Sequence, residues 1–176
     1  MLACCARLGE NRKKNQVIQL LRMFTEKLAT LDAILQQKHA KMYASLNKSK
    51  EVNSSLPAPL RDWYKWRDGQ NQESENLFFD WYRFYSAEEA RQRCCSQTEY
   101  SLPLLTDDAG LGYWFSTASH NVFYNWEECY DTSARLFASF DSFIDFLIEF
   151  ADSPQQSIGE VFDREENLLK KYTRYL

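Results

Sequence analysis

From Val17 onward the apolar residues Val17, Leu21, Phe24, Leu28, Leu31 and Leu35 recur at alternating spacings of four and three, with Ile18 and Ile34 widening the stripe. This spacing predicts a long amphipathic helix with one apolar face. The face either docks on the protein's own core or forms a coiled-coil seam. It covers fewer than three heptads, and Lys38 interrupts it before Met42, which favours docking. The run SLNKSKEVNSS, residues 45–55, is polar and rich in turn formers, so it reads as a connection. SLPAPLRDWYKWRDG, residues 55–69, then has proline where a first helical turn tolerates it and Gly69 where a left-handed stop is expected. Leu60, Trp63 and Tyr64 share one face of that helix, Trp66 lies near its edge, and Arg61, Asp62 and Arg67 are left for water. Two readings fit this aromatic face: a buried scaffold or a ligand-gripping patch.

Downstream, LFFDWYRFY, residues 77–85, has the aromatic density and partial alternation of a strand. Ser86 and Glu89 stand at the spacing of a capping box, predicting a short helix through about Arg93. GYWFSTASHNVFYNW, residues 112–126, consists of two β-prone runs around Ala118-Ser119-His120-Asn121, a β-hairpin pattern. Ser139 or Asp141 can cap the helix FDSFIDFLIEF, whose Phe140, Phe143, Ile144, Leu147 and Ile148 face one way, with Pro154 just past its end. A further helical pattern follows in Ile158, Val161, Phe162, Leu168, Leu169 and Tyr172. Helices and strands mix without regular βα alternation, so the predicted class is α+β: a mixed, mainly antiparallel sheet flanked by helices, with a long N-terminal amphipathic helix.

A length of 176 residues suits one domain with an extension. The 12 Phe, 10 Tyr and 5 Trp give a core that can be built from few elements, because each ring buries a large area. No apolar run approaches the roughly 18 residues of a membrane span. The start MLACCARLGENRKK lacks the basic region and apolar stretch that export requires. Cys4-Cys5 and Cys94-Cys95 are adjacent pairs and Cys129 is left over, an odd set unsuited to a disulfide framework. Reduced thiols and a cytoplasmic location are the expectation. Charge is unevenly placed: residues 1–50 carry 10 Lys and Arg against 3 Asp and Glu, and residues 51–176 carry 11 against 22, leaving +7 and −11. The basic front suits an anionic partner and the acidic body a basic one, unless the two attract each other or are simply solvated.

Candidate chemistry is sparse. Cys129 and His120 offer a nucleophile and a base by residue type, but they fall in one hairpin region with no third group to orient them. Adjacent cysteines do not have the spacing at which one loop offers two thiolates to zinc. Asp107-Asp108, and Glu127-Glu128 with Asp131, form two acidic clusters that lack the ligand spacing and glycine turn of a calcium loop. They read as solvated loop charge or as a protein-binding surface. No phosphate loop, dinucleotide fingerprint, nucleophile elbow or zinc-protease helix is present, so the expectation is no enzyme, no cofactor and no metal.

The order of several short segments resembles the SUKH superfamily, which includes fungal cell-wall-synthesis regulators and many bacterial immunity proteins. The segments are Leu56-Pro57 opening an aromatic helix that stops at Asp68-Gly69, Leu102-Pro103-Leu104 leading to the turn Asp107 to Gly112, Tyr113-Trp114-Phe115, Val122 to Trp126, and Ala138 to Phe143 opening a helix. Members often have Asn-Gly where this chain has Asp68-Gly69, and residues 1–16 and 155–176 have no assigned counterpart. The resemblance implies a sheet flanked by helices, a binding role, and a scaffold role for the Leu-Pro helix. The expected organisation is a basic flexible segment over 1–16, a SUKH-like domain over 17–154 and a C-terminal helical extension over 155–176. The expected function is that of a non-enzymatic immunity protein that covers the active site of a toxin domain, with a basic one directed at nucleic acid as the candidate. It would use Asp107, Asp108, Glu127, Glu128 and Asp131, and would bind no nucleic acid itself. The alternatives are an adaptor of cell-envelope or signalling machinery, and an enzyme whose motif goes undetected.

Overall fold

The structure, a computed structural model, describes residues 19, 22–48, 56–71, 73–93, 101–126, 134–153 and 157–175. The Cys pairs, Cys129, Glu127, Glu128, Asp131 and the predicted helix start at Val17 lie outside the described residues. Helix α1 is described over 22–38, with Phe24, Leu28, Leu31 and Leu35 buried in the main core. A break at His39 leads into α2, Ala40–Ser45. Helix α3, Ala58–Trp66, places Leu60, Trp63 and Tyr64 inside, which makes the aromatic face a scaffold. Arg67 is not left for water: its guanidinium meets Asp32 of α1 at 2.7 Å, and the Trp66 indole N–H donates to the same carboxylate at 2.9 Å. One carboxylate thereby ties α3 to α1.

The glycine stop falls elsewhere than the helix end. Arg67, the residue after α3, is already extended, and Gly69, with φ +75°, packs so closely that an added Cβ would lie 2.3 Å from the Ser86 nitrogen. Close approach of two chain segments therefore sets the requirement for glycine here. The segment 77–85 also departs from expectation. Only Arg83–Phe84, β1, is strand. Phe78 and Tyr82 bond each other's backbones at 2.8 and 2.9 Å across a tight turn in which Phe79 and Asp80 take φ of 53° and 63°. The aromatic density of this segment reflects burial of Phe78, Phe79, Tyr82, Phe84 and Tyr85, not extended pairing.

The predicted capping box forms: the Glu89 N–H donates to the Ser86 hydroxyl at 3.2 Å and the Ser86 N–H to the Glu89 carboxylate at 2.9 Å, opening α4, Ala87–Arg93. Strands β2, Ser101–Thr106, β3, Leu111–Ser116, β4, Val122–Trp126, and β5, Arg135–Phe137, continue an antiparallel meander from β1. The expected hairpin is the β3–β4 pair, with Tyr113 opposite Tyr124. Helix α5, Phe140–Ala151, is capped by Ser139 rather than Asp141, reciprocally with Ser142. Helix α6, Ile158–Tyr172, follows, and β6, Thr173–Tyr175, returns to pair with β5 as the sixth strand. The class is α+β, with an antiparallel sheet and helices packed on it. Alternation along β3 and β4 sends Tyr113, Phe115 and Val122 to the helix-covered face and Trp114 and Phe123 to a smaller cluster with Ala134 and Leu136. Phe137, Phe143, Phe146 and Tyr113 form the centre of the core, their neighbouring rings 5.3 to 6.4 Å apart.

Candidate functional site

The two described members of the predicted acidic set have different tasks. The Asp107 carboxylate accepts the Leu111 N–H at 2.8 Å, while its backbone pairs with Leu111 and Gly110, so it braces the β2–β3 turn. Asp108, next along that turn, is exposed. Leu111 pairs with Trp126, so this turn and the far end of β4 share one end of the sheet. His120, in the β3–β4 turn with φ 57°, lies away from that end. It lines a groove of about 470 Å³ with Phe24, Pro59, Asp62, Phe140 and Asp141.

Helix α6 holds features that the sequence reading passed over. Glu165 is only 3% exposed, and the Tyr82 hydroxyl lies 2.8 and 3.0 Å from its two oxygens. The Tyr113 hydroxyl donates to the same carboxyl. Burial pushes the Glu165 carboxyl up to about 7, with the two phenol hydrogen bonds pulling the other way. Burial, and next the Glu165 charge, hold the Tyr82, Tyr113 and Tyr124 phenols protonated far above the usual range. The Arg135 guanidinium, whose charge acts on Glu165, is engaged by Glu166 at 2.8 Å. Glu165, Tyr82 and Tyr113 are all buried, so the carboxyl is enclosed by its two phenol partners. A second buried titratable group, His39, donates from Nε2 to the Ala151 carbonyl at 2.9 Å and packs on Phe78 and Phe79. Burial lowers its pKa and keeps it neutral.

The stripe that contains Glu165 runs Ile158, Phe162, Glu165, Leu169, Tyr172 at helical spacing. Its second half is in the core: Glu165 and Leu169 are buried. Its first half is not, since Ile158 is 61% and Phe162 45% exposed. Trp81, 37% exposed on the tight turn, lies against Phe162 with ring centroids 5.2 Å apart. Beside them a cleft of about 490 Å³ opens between the end of α5 and the start of α6, with Phe79, Phe150 and Val161 among its lining and Glu149, Asp152, Glu160 and Arg164 also on its wall. Large apolar side chains left in solvent are the kind of surface that interaction sites use. A Glu at a core position of an otherwise apolar stripe was a visible signal in the sequence. The exposure of Ile158 and Phe162 was not, because it depends on where the sheet ends.

Among the described residues no group of His, Cys, Asp and Glu is arranged to hold a metal ion, and no helix is long and apolar enough to cross a membrane. Comparison with protein-family models finds no match, and comparison with curated proteins finds none either.

Proposed function

We propose that this chain is a cytoplasmic, non-enzymatic binding protein of the immunity type, which neutralises a toxin domain by covering its active site. The observation that carries the binding role is the open half of α6, where Ile158, Phe162 and Trp81 stand in solvent beside a cleft. Covering such side chains stabilises a complex through the water they release. The acidic body supports the choice of target: residues 51–176 carry 22 Asp and Glu against 11 Lys and Arg, and a toxin acting on nucleic acid needs a basic cleft that such a surface attracts. The resemblance of the Leu56-Pro57, Leu102-Pro103-Leu104 and Asp107 to Gly112 segments to the SUKH superfamily points the same way. On this reading Asp108, Glu127, Glu128 and Asp131 steer the encounter, while Asp107 holds the turn.

The test begins with a pull-down from the native cell, followed by assay of the captured partner for toxicity and nuclease action with and without this chain. Suppression of that action at stoichiometric amounts is the expected result. A partner that has no toxic activity, and that is bound without loss of its own function, would replace immunity with an adaptor role. Changing Asp108 and Asp131 to Asn and Glu127 and Glu128 to Gln is expected to slow association at low salt. The difference should shrink at high salt, because screening over about 8 to 10 Å removes long-range steering.

A further inference from the structure

We propose that the open half of α6, together with Trp81 and the adjoining cleft, is a docking groove for a basic amphipathic helix on the protein partner. This deepens, and rests on, the binding role inferred above. The shape comes first. Ile158 and Phe162 are four residues apart and form one ridge of α6, with Trp81 set beside the second of them and Val161 leading into the cleft. A ridge next to a groove is the relief that a second helix packs into, with its own apolar residues at spacings of three and four. The cleft, at about 490 Å³ and with Phe79 and Phe150 in its wall, has room for a large apolar anchor from that helix.

Charge then selects the kind of helix. Asp80 precedes Trp81, and Glu160 and Asp163 lie on α6 on either side of Val161 and Phe162. None of the three takes part in an ion pair among the described residues, whereas nearby Asp152 is paired with Lys38 and Glu149 with Arg164 and Lys171. Glu160, on the cleft wall, is held only by the Ser157 hydroxyl at 3.0 Å, and with Asp80 and Asp163, which adjoin Trp81 and Phe162 in sequence, it offers carboxylates without a cationic partner among the described residues, a match for Lys or Arg flanking apolar anchors. They also weigh against a second copy of this chain as occupant: a two-fold interface would set the same acidic patch against itself. An added strand is no better suited, because the two edges of the sheet are β1, with 2 residues, and β6, with 3.

The whole 176-residue chain can be tested without knowing the partner. The probe is a fluorescently labelled amphipathic peptide of Leu and Lys, with Leu at helical spacing, and anisotropy reads its binding. Two peptides serve as controls: one of the same composition in scrambled order, and one with Gln in place of Lys. The amphipathic Leu/Lys peptide should bind best. Its affinity should fall about tenfold or more in Trp81→Ala/Phe162→Ala, and likewise in Asp80→Asn/Glu160→Gln/Asp163→Asn, both verified as folded by circular dichroism. Equal binding of the scrambled peptide, or binding undiminished in the apolar double variant, overturns the groove. Equal binding of the Gln peptide overturns the basic character of the occupant. Binding that appears only once Arg7, Arg12, Lys13 and Lys14 are changed to Gln overturns the partner helix in favour of this chain's own basic segment. A concentration-dependent dimer in sedimentation, broken by Phe162→Ala, overturns it in favour of a second copy. The immunity role stands or falls separately, since a neutralised toxin whose capture ignores Trp81 and Phe162 would retain that role and discard this surface.

Discussion

In the second half of α6, Glu165, Leu168 and Leu169 are closed in beneath the sheet, Tyr82 and Tyr113, whereas in the first half Ile158 and Phe162 stand in solvent. The same helical stripe supplies both. The difference shows that periodicity determines which face of a helix is apolar, while the reach of the opposing sheet determines how much of that face is satisfied within the chain. It also separates two uses of one helix. The closed half holds the fold and carries an acid whose charge is costly there, and the open half keeps apolar surface available.

The sharpest way to break this comparison is to truncate each half in turn. Leu169→Ala should cost about 2 to 5 kcal/mol, the range for a buried Leu that leaves a cavity, and Phe162→Ala less than about 1 kcal/mol. Urea midpoints measure both. Equal losses would mean that Phe162 is held in the core like Leu169.

Next in size is the effect of pH on the closed half. The Glu165 carboxyl is raised from 4.5 to about 7 on folding, so the folded chain holds this proton more tightly than the unfolded chain. Its contribution is fully present below about pH 4.5, fades as pH rises, and is lost above about 7. The loss is on the order of 3 kcal/mol. His39 acts in the opposite sense, because its pKa is lowered on folding and stability falls as pH drops and the buried ring must charge. The difference between wild type and Glu165→Gln isolates the carboxyl: wild type should lose ground against the variant between pH 5 and 8. Parallel stability curves for the two proteins would show that Glu165 titrates as an ordinary surface acid.

Much of this architecture was legible in local sequence, and the reasons differ by element. The Ser86 and Glu89 capping box needs only four residues, and the β3–β4 hairpin needs two β-prone runs around a turn, so neighbours along the chain sufficed. The aromatic face of α3 was legible as a face, and the choice between scaffold and patch required Phe84, Phe140 and Phe143 against Trp63. The segment 77–85 was misread because aromatic density marks burial as well as extension, and the left-handed turn at Phe79 and Asp80 has no glycine to announce it. The acidic set was legible as charge, but the bond from the Leu111 N–H that takes Asp107 out of the free surface was not. Glu165 and its phenols come from three distant stretches of chain, so no window of sequence contains them.

Smaller effects sharpen the division at the cap of the open half. Ser157 accepts the Glu160 N–H at 3.4 Å, a long bond, whereas Ser139 and Ser142 exchange bonds of 3.1 and 3.0 Å at the start of α5. Ser139→Ala should cost about 1 kcal/mol and Ser157→Ala less, as read from thermal midpoints. A larger loss at Ser157 would mean that the open half is held more firmly than its exposure implies. Native-state hydrogen exchange should likewise find faster exchange over Val161 and Phe162 than over Leu168 and Leu169.

The pairing of β6 with β5 has a consequence in time. Strands β1 to β5 find partners among their neighbours in sequence, but β5 waits for a strand that arrives only after α5 and α6. While the chain is still being made or is refolding, β5 is a bare edge carrying Leu136 and Phe137, and its closure is the most non-local pairing in the sheet. Contact order therefore favours a meander that forms early and a seal that comes late. The interval between them is when this protein is most exposed to joining a neighbour instead of itself.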